Sequence, residues 1–151
     1  MKFRTSMATA VLLGGALLLS GCNPFTRIDE GAAMKGLDGT WTVAFIAGEE
    51  IKDKSVVPTI TIDSGNSTLS GHNGCNTFRG RYSFEDGKLK ARLAETRMAC
   101  PNDVATAASN EIRTVLDEGA EVVKVEMGVG RVLMFKSESA ELRLFPPEAS
   151  E

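Results

Sequence analysis

Apolar and polar residues alternate in short runs along this chain, and that two-residue period breaks once. Trp41, Val43 and Phe45 share one parity, with Thr42 and Ala44 between them. Ile60 and Ile62 stand on the opposite parity from Thr59, Thr61 and Asp63, and Phe78, Tyr82 and Phe84 again share one parity. Successive side chains of an extended chain point to opposite faces, so each run predicts a strand with one face for a core. Ala47-Gly48-Glu49 turns out of the first run toward a short continuation at Ile51. Asp86-Gly87 is a two-residue hairpin signal, and beyond it Leu89, Ala91 and Leu93 return with Lys88, Lys90 and Arg92 on the wet side. After Cys100 the period lengthens. Val104, Ala107, Ala108, Ile112, Val115 and Leu116 fall at helical spacing, which predicts a helix over 102–118. Pro101 suits its first turn, Asp103 suits the positive end of its dipole, and Gly119 can close it.

Three more strand patterns follow, "EVVKVEM", "RVLMFKS" and "AELRLF", divided by Gly128-Val129-Gly130 and Ser137-Glu138-Ser139. Pro146-Pro147 ends regular structure. The expected fold class is α+β, with about eight short strands and one amphipathic helix inserted after the fifth. A helix with one apolar face needs a sheet to cover, and strands wet on one side need a curled sheet to enclose a core. A curled antiparallel, barrel-like sheet with the helix across an open side or end satisfies both.

The first residues belong to a different regime. "MKFRTSMATAVLLGGALLLSGC" has Lys2 and Arg4 at its start, no acidic residue before Asp29, and an apolar or small stretch from Met7 to Leu19. That stretch is too short for a stable membrane span and right for the core of a secretory signal. Its end, Leu19-Ser20-Gly21-Cys22, resembles a bacterial lipoprotein signal, in which the cysteine thiol takes a diacylglyceryl group before cleavage. Each buried methylene of an acyl chain contributes about 0.8 kcal/mol, so several chains on Cys22 make a lasting anchor. The expected division is a signal over 1–21, a lipidated tether over 22–36 and one domain over 37–147. Asn23 follows the cysteine where an aspartate tends to hold Gram-negative lipoproteins at the inner membrane, so the expected location is the periplasmic face of the outer membrane.

Removing 21 of the 151 residues leaves 130, enough for one core. The formal charge is −3, and losing Lys2 and Arg4 with no acid takes it to −5. That balance, with no basic cluster interleaved with aromatics, argues against nucleic acid and against electrostatic attraction to anionic lipid. The expected partners are a membrane through Cys22 and an envelope protein, with the chain a monomer.

"SGHNGCNTFRG", Ser70 to Gly80, raises the question of chemistry, because it holds His72, the only histidine, three residues before Cys75. A thiolate nucleophile needs its base within hydrogen-bond reach, and odd spacing on a strand puts the two side chains on opposite faces. A zinc site from His72, Cys75 and Cys100 lacks the short paired cysteine spacing such sites use. In an oxidising compartment, Cys75 and Cys100 read most simply as a disulfide, with two free thiols as the alternative. A bridge closing a loop of 25 residues contributes about 3 kcal/mol in the chain-entropy model. Gly71, Gly74 and Gly80 permit a bend or bulge, and Asn73 and Asn76 can bond nearby backbone. Catalytic residues, cofactors and metals are therefore all expected to be none.

"LDGTWTV", "LSGHNGCNTFRGRYSF" and "LAETRMACP" together resemble the META domain of HslJ-type bacterial lipoproteins, over about Leu37 to Phe145. The motif residues are Gly74, Cys75, Asn76, Thr96, Arg97 and Met98. The resemblance implies a compact α+β fold, an envelope location and a part in heat-shock and antibiotic tolerance, novobiocin in particular. It also implies a likeness to secretin pilot lipoproteins, and it supplies no active site. Thr96 and Arg97 are expected to bond the exposed carbonyls of the bend, with Met98 filling the gap beneath. Gly39-Thr40-Trp41 also resembles the opening of lipocalins. The second functional expectation is accordingly a carrier of a small apolar ligand, beside the first, a non-catalytic binding or assembly module.

Overall fold

A computed structural model of the chain describes residues 25–27, 34–128 and 130–146. The signal segment and Cys22 lie outside the described residues. The elements in chain order are β1 (Phe25–Arg27), β2 (Gly39–Ile46), β3 (Glu49–Glu50), β4 (Thr59–Asp63), β5 (Thr68–His72), β6 (Thr77–Glu85) and β7 (Lys88–Glu95). Helix α1 (Asp103–Glu118) comes next, then β8 (Glu121–Met127), β9 (Gly130–Lys136) and β10 (Glu141–Phe145). The eight longer strands are those expected. Counting β1 and β3 as well, the helix follows the seventh strand rather than the fifth. Both additions are too short to carry an alternation. β1 falls inside the stretch read as a tether, and pairs with β8.

Every pairing is antiparallel, in the order β1-β8-β9-β10-β2-β4-β5-β6-β7, with β3 on the edge of β2. The sheet curls until β7 meets the residue before β8, where Leu89 and Ala120 exchange backbone hydrogen bonds of 2.7 and 2.8 Å. The right-handed twist of adjacent strands favours such curling, and this single bridge joins the two sides of a half-barrel. The barrel interior is filled by Trp41, Val43, Ile60, Leu69, Phe135 and Leu142 among others, with Ile112, Val115 and Leu116 entering from the helix.

Two predicted faces changed. Val43 pairs with Leu144 and Phe45 with Arg143, so Ala44 is an extra residue in β2, a bulge. One inserted residue reverses every later side chain, because the period is two. Phe45 therefore leaves the core face and lies 6.1 Å from the Phe145 ring with the Arg143 guanidinium 5.6 Å above it, while Ile46 packs inward. On α1 the buried stripe is Ala105, Ala108, Ser109, Ile112, Val115 and Leu116, and Val104 and Ala107 stay exposed. Asn102, rather than Pro101, starts the helix: its Oδ1 accepts from Ala105 N at 2.8 Å.

Acidic side chains fasten the helix to the sheet. Glu111 accepts from Glu141 N at 3.0 Å, and Glu95 on β7 accepts from Arg113 at 2.6 Å. Glu118 accepts from the hydroxyls of Ser137 and Ser139, each at 2.6 Å, which holds the β9–β10 turn against the end of α1. The Ser137 hydroxyl, then that of Ser139, holds the Glu118 carboxyl below its ordinary pKa. Asp53 is lowered chiefly by the Ser55 hydroxyl, and Asp38 by the Ser64 backbone N–H. A carboxylate whose folded pKa is depressed adds stability above its unfolded pKa, and that stability is lost as pH falls through the folded one. Thermal unfolding followed against pH should show a melting temperature that declines below roughly pH 5. In Glu118→Gln that acid decline should be shallower, and an unchanged acid limb would count against this clamp.

Candidate functional site

The sequence motif folds into a bend between β5 and β6, and the details differ from a general glycine-rich hinge. Gly71 and Gly80 are within strands, where a neighbouring backbone approaches closely. A Cβ would stand 2.0 Å from Thr59 O at Gly71, and 1.9 Å from Arg92 O at Gly80. Gly74 alone of the three sits in the bend, at φ +93°, where glycine avoids the Cβ clash other residues meet. A Cβ there would also stand 3.1 Å from Val56 Cγ1 and 3.5 Å from the Ala108 Cβ, so the bend lies directly on the helix.

Two asparagine side chains hold the bend. Asn73 is 0% exposed, and its Oδ1 accepts from Cys75 N at 3.1 Å and Asn76 N at 2.7 Å. Its own N–H donates to Asn76 O at 2.9 Å. Both acceptor bonds fix the orientation of the amide, which leaves Asn73 Nδ2 buried with no partner among the described residues. Asn76 works outward: its Oδ1 accepts from the Thr96 hydroxyl at 2.9 Å and from Met98 N at 2.7 Å. Thr96 then closes the ladder end with Thr77, donating its N–H to Thr77 O at 3.1 Å and accepting Thr77 N at Oγ1 at 3.2 Å.

Cys75 and Cys100 form a disulfide across a Cα separation of 4.8 Å. The bridge joins the bend to the residues leading into α1. A sulfur in this bond is not a free thiolate, and His72 Nδ1 is engaged by the bend itself, accepting from Gly74 N at 3.1 Å. Among the described residues no three His, Cys, Asp or Glu side chains gather as a metal site would require.

The motif residues thus divide. Gly74, Cys75, Asn76 and Thr96 come together around the bend. Thr96 bonds the Asn76 amide and the Thr77 backbone rather than a bare carbonyl of the bend. Arg97 is exposed, with no hydrogen bond from its side chain among the described residues. Met98 contributes only its backbone N–H, and its side chain is 68% exposed, so it fills no gap. Val56, Ala105 and Ala108 fill that space, in a small second core with Ile51 against which Ile46 and Cys100 pack.

One participant was not visible beforehand. Asn102, which caps α1, also donates through Nδ2 to Asp53 Oδ2 at 3.0 Å, and Asp53 Oδ1 accepts from Ser55 N and Oγ. This linkage spans 49 residues, and only the turn-forming character of Asp53-Lys54-Ser55 hinted at it. Beside it runs a groove of about 630 Å³, lined by the apolar Ile46, Ile51, Val104 and Ala107 and by the charged Glu49, Glu50, Lys52 and Asp53. The Phe45-to-Ile46 reversal and the exposed Val104 and Ala107 therefore serve one feature.

Cys75→Ser and Cys100→Ser should each lower unfolding stability by about 3 kcal/mol in denaturant titration, with the double variant no worse than either. Asn76→Ala should cost about 1–3 kcal/mol in the same titration, because the Met98 and Thr96 donors lose a buried acceptor. A neutral Asn76→Ala would show that the latch to residues 96–98 is not needed.

One solved structure, an NMR structure of a protein from Burkholderia xenovorans, superposes with a TM-score of 0.58 at 20% identity, covering 79% of this chain and 90% of that one. This likeness concerns the fold alone. No curated protein matches the sequence. The META domain family profile matches residues 33–149, nearly the whole of the barrel and its helix. With the clasped bend, the helix and the curled sheet in place, the chain belongs to the META domain family.

Proposed function

We propose that this protein is a non-catalytic envelope lipoprotein, anchored through Cys22 at the periplasmic face of the outer membrane of a Gram-negative cell. In this reading its META domain serves as a binding or assembly module in envelope stress or antibiotic tolerance. Support for the location comes from the residues ending in Leu19-Ser20-Gly21-Cys22, and from a disulfide that suits an oxidising compartment.

The observation that carries the binding reading is the placement of apolar surface. The barrel interior is occupied by the chain's own side chains, with Ile60, Leu69, Leu133, Phe135, Leu142 and Leu144 fully buried. A small barrel filled in this way leaves recognition to its outside. The groove beside α1 is open, with an apolar lining and a net acidic set of charges, Glu49, Glu50 and Asp53 against Lys52. Its far wall is the helix end that the disulfide and the Asn102–Asp53 bond hold in place. Rigid walls suit a preformed recognition surface, since less ordering is needed on binding.

The second reading, a carrier of a small apolar ligand, draws on the same groove, whose volume lies within the range of about 300–1,000 Å³ usual for ligand sites. Chemical cross-linking of envelopes followed by affinity isolation of the full-length protein should recover a defined protein partner, and Val104→Glu in the groove should abolish its recovery. Native mass spectrometry that instead finds a co-purifying lipid or apolar small molecule, displaced in Val104→Glu, would replace the module with the carrier.

A further inference from the structure

The pairing of β1 bears on how the domain meets its membrane. The register is Phe25 with Val125, Thr26 with Lys124 and Arg27 with Val123, antiparallel. Phe25, the first residue of β1, therefore stands toward the Glu126–Met127 end of β8, beside the β8–β9 turn. Cys22 lies three residues before Phe25. Three residues reach at most about 11 Å, whereas a free tether of the length of 22–36 could reach about 50 Å. A bilayer's polar layer is only about 5–7 Å thick on each side of the hydrocarbon. An acylated Cys22 thus leaves Phe25, and with it this end of β8, within roughly one headgroup layer of the lipid surface.

The surface found at that end suits the position. Met127 is one of the few large apolar side chains left exposed, at 54%. The charges around it form one cluster: Glu126 pairs with both Lys124, at 3.0 Å, and Arg131, at 3.3 Å. Arg131 also donates to Gly36 O at 3.3 Å, which ties the start of the domain to the same corner. Two cations sharing one carboxylate leave a single net positive charge beside the apolar side chain, which suits an interface that carries anionic lipid phosphates.

Strand direction fixes what lies at the other end. β9 runs away from the β8–β9 turn, β10 returns to its level, β2 runs away beside β10, β4 returns, and β5 runs away again to His72. The bend of Asn73 to Asn76 is therefore at the end of the sheet opposite the β8–β9 turn.

We infer that the β8–β9 turn, led by Met127, is a membrane-docking surface that seats on the phospholipid bilayer, so that the clasped bend projects away from it. The inference rests on the acylation of Cys22 in the proposed function. Its test uses full-length protein, matured in a Gram-negative host and reconstituted into phosphatidylethanolamine–phosphatidylglycerol vesicles with and without brominated acyl chains. Met127→Trp and Met98→Trp place a reporter at each end on an exposed methionine. The unsubstituted protein, whose single tryptophan is the buried Trp41, provides the blank. Emission from position 127 should shift to the blue and be quenched by brominated lipid, with neither change at position 98. Equal quenching at both positions, quenching at neither, or quenching at 98 alone, in protein whose N-terminal peptide carries acyl mass, overturns the docking surface and leaves the anchor standing. Absence of acyl mass on Cys22 together with failure to float with vesicles overturns both.

Discussion

The helix stays across this sheet because its leading end is bonded to a strand connection from the other half of the fold. Cys75 and Cys100 make that bond covalent, and Asn76 repeats it with hydrogen bonds to Thr96 and Met98. Neither would hold without Asn73, whose buried carbonyl takes the two N–H groups that a sharp bend turns inward. Buried donors left unmade cost about 1–3 kcal/mol each, so the bend has one low-energy shape and the sulfur is presented in one direction. The small core of Ile51, Val56, Ala105 and Ala108 then packs between two surfaces whose separation is already set.

That arrangement separates stability from recognition. Cysteine, asparagine and glycine at the bend are committed to internal bonds, and so are Asn102 and Asp53 beneath the groove. What they leave facing solvent is Val104, Ala107, Met98 and the two glutamates of β3, none of which the fold needs for its core. A META domain could vary these positions without disturbing the bend, because their side chains take no part in the hydrogen bonds that hold it.

Much of this was legible in the sequence, wherever the signal was local. Alternation located the longer strands, the change of period located the helix, and Asp86-Gly87 located a hairpin whose two residues do take positive φ. The cysteine pair was legible once the opening residues were read as a signal for an oxidising compartment. The misses were non-local. A bulge at Ala44 is a mismatch between two strands, so β2 alone cannot reveal that Phe45 turns outward. Val104 and Ala105 are both apolar, and which of them is buried depends on how α1 is rotated by Glu111, Arg113 and Glu118. Met98 looked like a core side chain because methionine often is one; here the backbone of residue 98 is wanted and the side chain is not.

Strand β2 has a further consequence. Its two long neighbours are β4, which follows after the short β3, and β10, the last strand; Thr42 pairs with Phe145. Loop closure over roughly a hundred residues is slow compared with hairpin formation, so the β4 to β7 meander can assemble early while β2 waits with one side bare. The barrel then has no finished form until the carboxyl-terminal strand has arrived. Under the proposed envelope location, in which the chain crosses a membrane before folding, late closure of this kind leaves the barrel open until its last strand has followed.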